Sequence, residues 1–293
     1  MPEQTLISLA ALKRSRVLPE AILVVDNGSS EDNLARLKSL CSPTAVLALD
    51  RNLGFAGGMN HGLEAMSSLG LDYALLLNND VEVAPGMLQE LIEVARLDPQ
   101  VAIVAPVMKF ASQPNEIWHS GTRFGVITGL PKAISPDAKA TVRSVDVDAV
   151  PAAVWLVSLK AFRKIGGFDR SYFMYYEDWD LCTRMKKCGY EIKVATQAVA
   201  WHAVSASTRN QSGFRHAHFA YGRIRFYLSR GRIISRLICF VAILTSEALE
   251  LVKLTLHGRY NVAYARIGGF CRGIVSVFRN RATGADASLP RMP

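Results

Sequence analysis

The segment Asp72-Tyr-Ala-Leu-Leu-Leu-Asn-Asn-Asp-Val-Glu82 constrains this chain more than any other, because an unbroken apolar run stops there at three short polar residues. Ala74 to Leu77 has the composition of a strand covered on both faces, as in a parallel sheet with helices above and below. Asn78, Asn79 and Asp80 mark where that strand emerges. In open α/β sheets, ligands gather outside the carboxyl ends of the strands. A carboxylate flanked by amides at such an end suits a hard divalent cation that also holds a diphosphate. The same residues suit an ordinary solvated turn, so the rest of the chain has to decide.

Around this run the periodicity alternates. Residues 5–15 read as a helix, 21–25 as a buried strand and 26–30 as a turn, with Ser29 or Ser30 as N-cap of a helix over 31–41. A strand over 45–49, a glycine-bearing stretch, a helix to residue 68, the central strand, a helix over 85–97 and a strand over 101–107 follow. Short connections between alternating strands and helices predict an α/β fold with a doubly wound, mainly parallel sheet. Gly54, Gly57, Gly58 and Gly62 do not have the G-x-G-x-x-G spacing, and they follow the second strand, so they are no dinucleotide fingerprint. Glycines leading into a helix N-terminus still suit close approach of a phosphate or sugar.

From residue 110 to 144 the pattern loosens, and Trp118 to Gly121 read as part of a small antiparallel insertion. Residues 150–159 read as a buried strand running into a short helix, and 166–169 as a sharp turn. Phe173-Met-Tyr-Tyr-Glu-Asp-Trp-Asp-Leu181 then opens a helix to residue 188. Glu177, Asp178 and Asp180 fall in its first turn, where the helix dipole stabilises carboxylates. Strands over 190–196 and 198–201 follow, with His202 at the end.

The length allows one large core or a domain with an appendage, and with half its residues hydrophobic the chain is not disordered. Cys41, Cys182, Cys188, Cys239 and Cys271 show no paired C-x-x-C spacing, which argues for a reducing compartment and against a disulfide framework or zinc ribbon. Residues 1–16 carry no sustained apolar core, so no signal peptide is expected. Charge divides the chain. Through residue 202 there are 20 Lys/Arg and 22 Asp/Glu, net −2; residues 203–293 hold 14 and 3, net +11, and the two sum to +9. A basic tail calls for a polyanionic partner, either nucleic acid or an anionic membrane face. Residues 233–256 are apolar-rich but broken by Glu247, Glu250 and Lys253, so an interfacial helix with Arg flanks is expected in place of a clean membrane span. No nucleic-acid motif accompanies this segment, and it is too apolar for such a surface.

One set of motifs appears in order: Val25-Asp-Asn-Gly-Ser-Ser30, Asn52-Leu-Gly-Phe-Ala-Gly-Gly-Met-Asn60, Leu77-Asn-Asn-Asp80, Gly166-Gly-Phe-Asp169, Glu177-Asp-Trp-Asp-Leu181 and Trp201-His202. The set resembles family-2 glycosyltransferases of the GT-A fold, and within them the bacterial rhamnosyltransferase-type members. The resemblance implies an inverting, metal-dependent transferase that displaces a nucleoside diphosphate from a sugar, with Mg²⁺ or Mn²⁺. It makes Asp178 the catalytic base and Asp80 and His202 the metal ligands. Asp26, Asn52, Gly54, Asn60, Asn78 and Asn79 become the donor-binding residues, with Asn78 standing where the family's D-x-D motif has its first Asp. Glu177, Asp180 and Trp155 are candidates for acceptor contact or support. Asp180 could instead orient Arg184 at i+4. Trp155 and Trp118 suit stacking on sugars, although a buried Trp is more often core.

The resemblance further implies a catalytic domain over residues 1–207 and a basic, amphipathic, membrane-associating helical region over 208–293. Its partners would be a dTDP- or UDP-type sugar, a lipid-linked or polysaccharide acceptor and the inner face of the plasma membrane, in cell-envelope glycan synthesis and with no nucleic acid. The alternative is an impaired relative that binds nucleotide-sugar or membrane without turnover. One departure supports that alternative. The family begins with a strand and turn before the first helix, whereas Met1 here lies only a few residues ahead of that helix. The expectation is a missing strand beside residues 21–25, leaving a hydrophobic sheet edge.

Overall fold

The alternation of periods becomes an alternation of elements in the structure, a computed structural model that describes residues 2–134, 142–203 and 212–282. The first half runs α1 (Pro2–Lys13), β1 (Leu23–Asn27), α2 (Glu31–Cys41), β2 (Ala45–Leu49), α3 (Gly54–Ser67), β3 (Tyr73–Leu77), β4 (Val81–Val83), α4 (Met87–Ala95) and β5 (Val101–Phe110). Four short strands follow: β6 (Ile117–His119), β7 (Thr122–Phe124), β8 (Pro131–Ala133) and β9 (Ser144–Val147). The rest comprises β10 (Val154–Ser158), α5 (Leu159–Ile165), α6 (Glu177–Lys187), β11 (Glu191–His202), α7 (Ser212–Ser229), α8 (Ile233–Leu256) and α9 (Tyr260–Ala282). Packing groups residues 124–132 and 171–177 with α7, α8 and α9 in a second unit; the other described residues form the first.

In the first unit the main sheet has the order β3-β10-β5-β11-β4, with β6 added to β5 and β9 to β11. β10 is antiparallel to both β3 and β5, and β5 is parallel to β11, so β3, β5 and β11 point the same way. Their carboxyl ends therefore share one end of the sheet. The expected parallel set is present, but β10, β4, β6 and β9 run against it and make the sheet mixed. The excursion between β5 and β10 returns the chain in the opposite sense, which no local periodicity encodes. β1 and β2 form a separate parallel pair. The two strands expected over 190–201 are one, β11, interrupted by a register shift between Ala195 and Val199.

The core lies where α4 covers the sheet. Leu91 and Val94 are fully buried against a cluster that includes Val101, Val104, Met108 and Ala200. Each such side chain contributes roughly 1.5–3 kcal/mol by leaving water. Two local expectations shift. Ser30 does not cap α2 through its side chain; its Oγ accepts from Asn33 Nδ2 at 3.0 Å. The glycines lie inside α3 rather than ahead of it, and a Cβ at Gly62 would stand 2.8 Å from Val25 Cγ2, so their smallness lets α3 approach β1.

The second unit is held by close helix packing and one buried charge cluster. A Cβ at Gly269 would lie 2.0 Å from the Ala217 carbonyl oxygen, so α9 meets α7 at a distance only glycine permits. Glu247, expected as an interruption of an apolar segment, is instead turned inward. It accepts from Arg266 Nε at 2.6 Å and Nη2 at 3.0 Å, and from Arg223 at 3.3 Å, which ties α7, α8 and α9 together. Removing one member of a buried pair strands the other charge, at a cost of roughly 3–5 kcal/mol. Glu247→Ala is therefore expected to lower the chemical-denaturation midpoint far more than Lys253→Ala, an exposed change on the same helix worth within about 0.5 kcal/mol. Equal midpoints for the two variants would show that the cluster does not hold the helices. Among the described residues, no helix is long and apolar enough to cross a membrane.

Candidate active site

The polar stop after the central strand turns the chain back on itself. Asn78 N–H donates to the Ala153 carbonyl at 2.9 Å, extending the β3–β10 ladder by one rung, and residues 78–80 lead into β4. β4 then pairs antiparallel with the end of β11, with Val81 opposite His202. This ladder places the neighbouring Asp80 beside His202. Nε2 of His202 lies 3.2 Å from Asp80 Oδ1, and Ala203 N–H donates to the Asp80 carbonyl at 3.0 Å. Both side chains are at least nine-tenths covered, at 10 % and 9 % exposure. Trp118 on β6 meets the His202 ring edge-on at 4.5 Å. His202 Nδ1 is buried without a hydrogen-bond partner among the described residues, so Nε2 is the nitrogen presented to the carboxylate.

Asp178 sits in the first turn of α6, and Ala152 N–H donates to its Oδ2 at 3.3 Å. Ala152 directly precedes the residue that receives Asn78 N–H, so Asp178 is tied to the same end of the sheet as Asp80 and His202. Loss of solvation raises the Asp178 carboxyl to about 6, while the amides of Trp179 and Ala152 pull the other way. The chain enters α6 through Tyr175 and Tyr176, at φ 70° and 71°, a left-handed conformation that costs non-glycine residues of order 1–3 kcal/mol each.

The other expected residues divide by what they touch. Asp180 is buried and accepts from Arg184 Nε at 2.6 Å; Arg184 also donates to the Ile165 and Gly167 carbonyls, locking α6 to the turn after α5. This is the orienting arrangement at i+4. Glu177 packs with the second unit and is buried. Asn60 spends both ends of its amide on the backbone of Phe168, at 2.9 Å each. It thus clasps the turn at Gly167, which gives its amide a structural partner at each end. Trp155 is completely buried and stacked on Phe168, which removes it from acceptor contact and makes it core.

Asp26, at the end of β1, accepts from Ser29 N–H at 3.1 Å, and Asn52 Oδ1 accepts from Gly54 N–H at 2.9 Å. Both thus shape the loops at the strand ends. Asn78 is half-buried and Asn79 exposed. Asn27 was not singled out from the sequence, yet its amide bonds to Leu53 N–H and the Gly54 carbonyl, joining those two loops. His119 was also missed. It bonds to Thr122 Oγ1, and burial pushes it down to about 4, so it is neutral at physiological pH.

The pair Asp80–His202 offers one carboxylate oxygen and one imidazole nitrogen. Among the described residues no cluster of three or more His, Cys, Asp or Glu side chains converges. A cation here would complete its shell from diphosphate oxygens and water, the habit of Mg²⁺, and the mixed oxygen and imidazole donors also suit Mn²⁺. The residues therefore fit a nucleotide-bound cation better than a resident structural one.

Comparison with known proteins gives the geometry a context. The family model described as Glycosyl transferase family 2 matches residues 3–156, more than half of the chain. A second, the N-terminal domain of galactosyltransferase, matches residues 145–203, the stretch containing Asp178 and His202. The N-acetylglucosaminyl-diphospho-decaprenol L-rhamnosyltransferase of Mycobacterium tuberculosis is 23% identical over 233 residues, covering 72% of this chain and 75% of that protein. Rhamnosyltransferase WbbL of Escherichia coli is 37% identical over 91 residues, 30% of this chain and 33% of that one. The structure of mannosyltransferase PcManGT from Pyrobaculum calidifontis, with GDP-Man and Mn²⁺, superposes with a TM-score of 0.53 at 14% identity, over 99% of this chain and 78% of its own. That of GalNAc-T7 with UDP, GalNAc and Mn²⁺ gives 0.54 at 14% identity over 76% of this chain, which spans about half (47%) of that structure.

Proposed function

This chain belongs to glycosyl transferase family 2 and has the GT-A fold, and from that premise we propose that it transfers a hexose, with inversion, from a nucleoside-diphosphate donor to a lipid-linked acceptor. The observation that supports the reading is the Asp80–His202 pair, 3.2 Å apart just past the end of β3, with Asp178 held through Ala152 at the same end of the sheet. In the proposed reaction Asp178 takes the proton of an acceptor hydroxyl. The freed oxygen attacks the anomeric carbon, and the bond from that carbon to the diphosphate oxygen breaks on the opposite face. Asp80 and His202 would hold the divalent cation, which supplies charge neutralisation at the leaving diphosphate. We assign rhamnose as the sugar, by analogy with the rhamnosyltransferases it is similar to, carried on a dTDP- or UDP-type nucleotide.

The second unit supports work at an anionic membrane face. α8 turns Ser235, Cys239, Ile243 and Glu247 inward, while Ile234, Leu237, Val241 and Leu244 remain exposed on another side. The loop carrying Val126, 98% exposed, is fixed to α8 by bonds from Ser235 and Cys239 to the carbonyls of Ile127 and Thr128. Arg230, Arg232 and Arg236 stand at the start of the helix. An apolar stripe with basic flanks is the pattern of a helix lying in the lipid interface, here at the inner face of the plasma membrane.

The test is nucleoside-diphosphate release from a panel of sugar nucleotides, with Mg²⁺, Mn²⁺ or chelator, and with or without membrane lipid extract. Cation-dependent release from one donor, greatest with lipid, is the expected result. Tight donor binding without release under any condition would replace this reading with that of an impaired, nucleotide-sugar-binding relative.

A further inference from the structure

Asp178 stands two residues after a stretch of backbone that ordinary side chains avoid. Tyr175 and Tyr176 are both left-handed, at φ 70° and 71°, and residues other than glycine persist in that region only where their surroundings over-determine them. Here the surroundings include α7, which packs in the same unit as residues 171–177. Every aromatic residue of Tyr172-Phe-Met-Tyr-Tyr176 has a ring partner on that one helix. Tyr172 meets Tyr221 at 6.4 Å between ring centres, and Phe173 meets His218 at 5.0 Å. Tyr175 and Tyr176 both meet Phe219, at 5.9 and 5.4 Å, and Tyr176 also meets Phe226 at 5.8 Å.

Between the two phenylalanines, on the same face at helical spacing, α7 carries Gly222. A Cβ there would stand 2.5 Å from the Tyr175 carbonyl oxygen and 3.1 Å from Tyr176 Cδ2. Glycine is otherwise a poor choice in the interior of a helix. Its bareness makes a notch that receives the left-handed pair, with an aromatic ring above and below. The helix is itself braced. Cβ atoms at Gly269 and Gly273 of α9 would lie 2.0 Å from the Ala217 carbonyl oxygen and 2.8 Å from that of Tyr221. The φ values at 175 and 176 set the direction in which the chain leaves for Glu177 and Asp178. From that start the Asp178 carboxylate accepts from Trp179 N–H at 2.8 Å and from Ala152 N–H at 3.3 Å.

Resting on the assignment of Asp178 as the base, we propose that Gly222 is a positioning residue for it: the notch in α7 holds Tyr175 and Tyr176 left-handed, and their conformation aims Asp178 at its seat beside Ala152. A side chain at 222 would disturb that seat because the atom it strikes first is a backbone oxygen, which cannot swing aside as a side chain can. The pair would relax toward ordinary backbone, and the first turn of α6 would start in another direction.

Gly222→Ala tests this on the full chain, with Gly268→Ala as control. The control is the same change in α9, where the nearest atom to a new Cβ is the movable end of Arg272, 3.4 Å away. The first readout is hydrogen exchange of the Ala152 amide, which reports the seat without turnover; the others are kcat for transfer and nucleoside-diphosphate affinity by calorimetry. In Gly222→Ala, Ala152 exchange is expected to quicken at least tenfold and kcat to fall at least tenfold, with affinity within twofold of wild type and the control unchanged. Phe219→Leu, which stays apolar but removes the ring shared by both tyrosines, should move exchange and kcat in the same direction, and it decides alone if Gly222→Ala does not fold. Wild-type exchange and kcat in the folded variants would overturn the proposal. So would lost stability and nucleotide affinity with the Ala152 amide still protected, the mark of a merely structural glycine. Faster Ala152 exchange alongside an active Asp178→Asn would confirm the seat and defeat the base assignment instead.

Discussion

Asp178→Asn is expected to lower kcat/KM for sugar transfer by about 10²–10⁴, the usual contribution of a positioned general base, while leaving the protein at least as stable as the wild type. The two halves of this expectation have one cause. The Asp178 carboxyl is partly buried, and loss of solvation raises it to about 6. The native state therefore holds the proton more tightly than the unfolded chain, whose carboxyl titrates near 3.8. Between those two values stability falls as pH rises, because the native state resists giving up the proton. At pH 7.5 the wild type carries the full cost of a desolvated carboxylate. Asn keeps an oxygen for Ala152 N–H and carries no charge, so that cost disappears. Activity has the opposite dependence: the base must be ionised, so kcat/KM in the wild type should decline tenfold per pH unit below about 6. A thermal midpoint at pH 7.5 that is unchanged or raised, with transfer lost, is the signature of a base held at the expense of stability. A variant that is both unstable and inactive would make Asp178 structural, and one that retains activity would remove it from the chemistry.

What could be read in the sequence and what could not follow a physical line. β2, α2 and α8 fall on the expected residues because hydrophobic periodicity is a local property, and the central strand ends at Leu77 because Asn78, Asn79 and Asp80 end it. The mixed direction of the sheet was not legible, since β10 and β4 owe their orientation to loops whose sequence has no period. Asp80 and His202 could be proposed as partners only through an ordered set of motifs, because the ladder between Val81 and His202 pairs residues far apart in the chain. Asn60 shows the limit most clearly. Its place near the glycine stretch invited a ligand-binding role, and only the three-dimensional contact with Phe168 reveals where its amide is spent. Trp155 is similar: an aromatic in an apolar strand reads as core or as a sugar platform until its burial is known. Glu247 in α8 read as a break in an apolar helix, and its meaning depends on Arg223 and Arg266 from two other helices.

Asp80→Ala is expected to reduce transfer by about 10²–10³, the scale seen when one stabiliser of developing charge is lost. Asp80 is the one carboxylate that the fold sets beside His202, at 3.2 Å, and no third acidic, His or Cys side chain converges there among the described residues. In the proposed reading, with two protein donors, cation and nucleotide would bind as a unit, each supplying part of the other's site. Loss of Asp80 should therefore weaken nucleoside-diphosphate binding when Mn²⁺ is present and change it little when chelator is present. Titration calorimetry with the nucleotide alone reads this without turnover. His202→Ala, which leaves the carboxylate, should shift the Mn²⁺ concentration needed for half-maximal activity upward with a smaller loss at saturation. The softer donor contributes less to holding a hard cation, and water can take its position. If chelator leaves wild-type transfer untouched, the pair is no cation site. The 3.2 Å contact would then be a hydrogen bond that joins β4 to β11, and Asp80→Ala should lower the unfolding midpoint while sparing the rate of whatever protein remains folded.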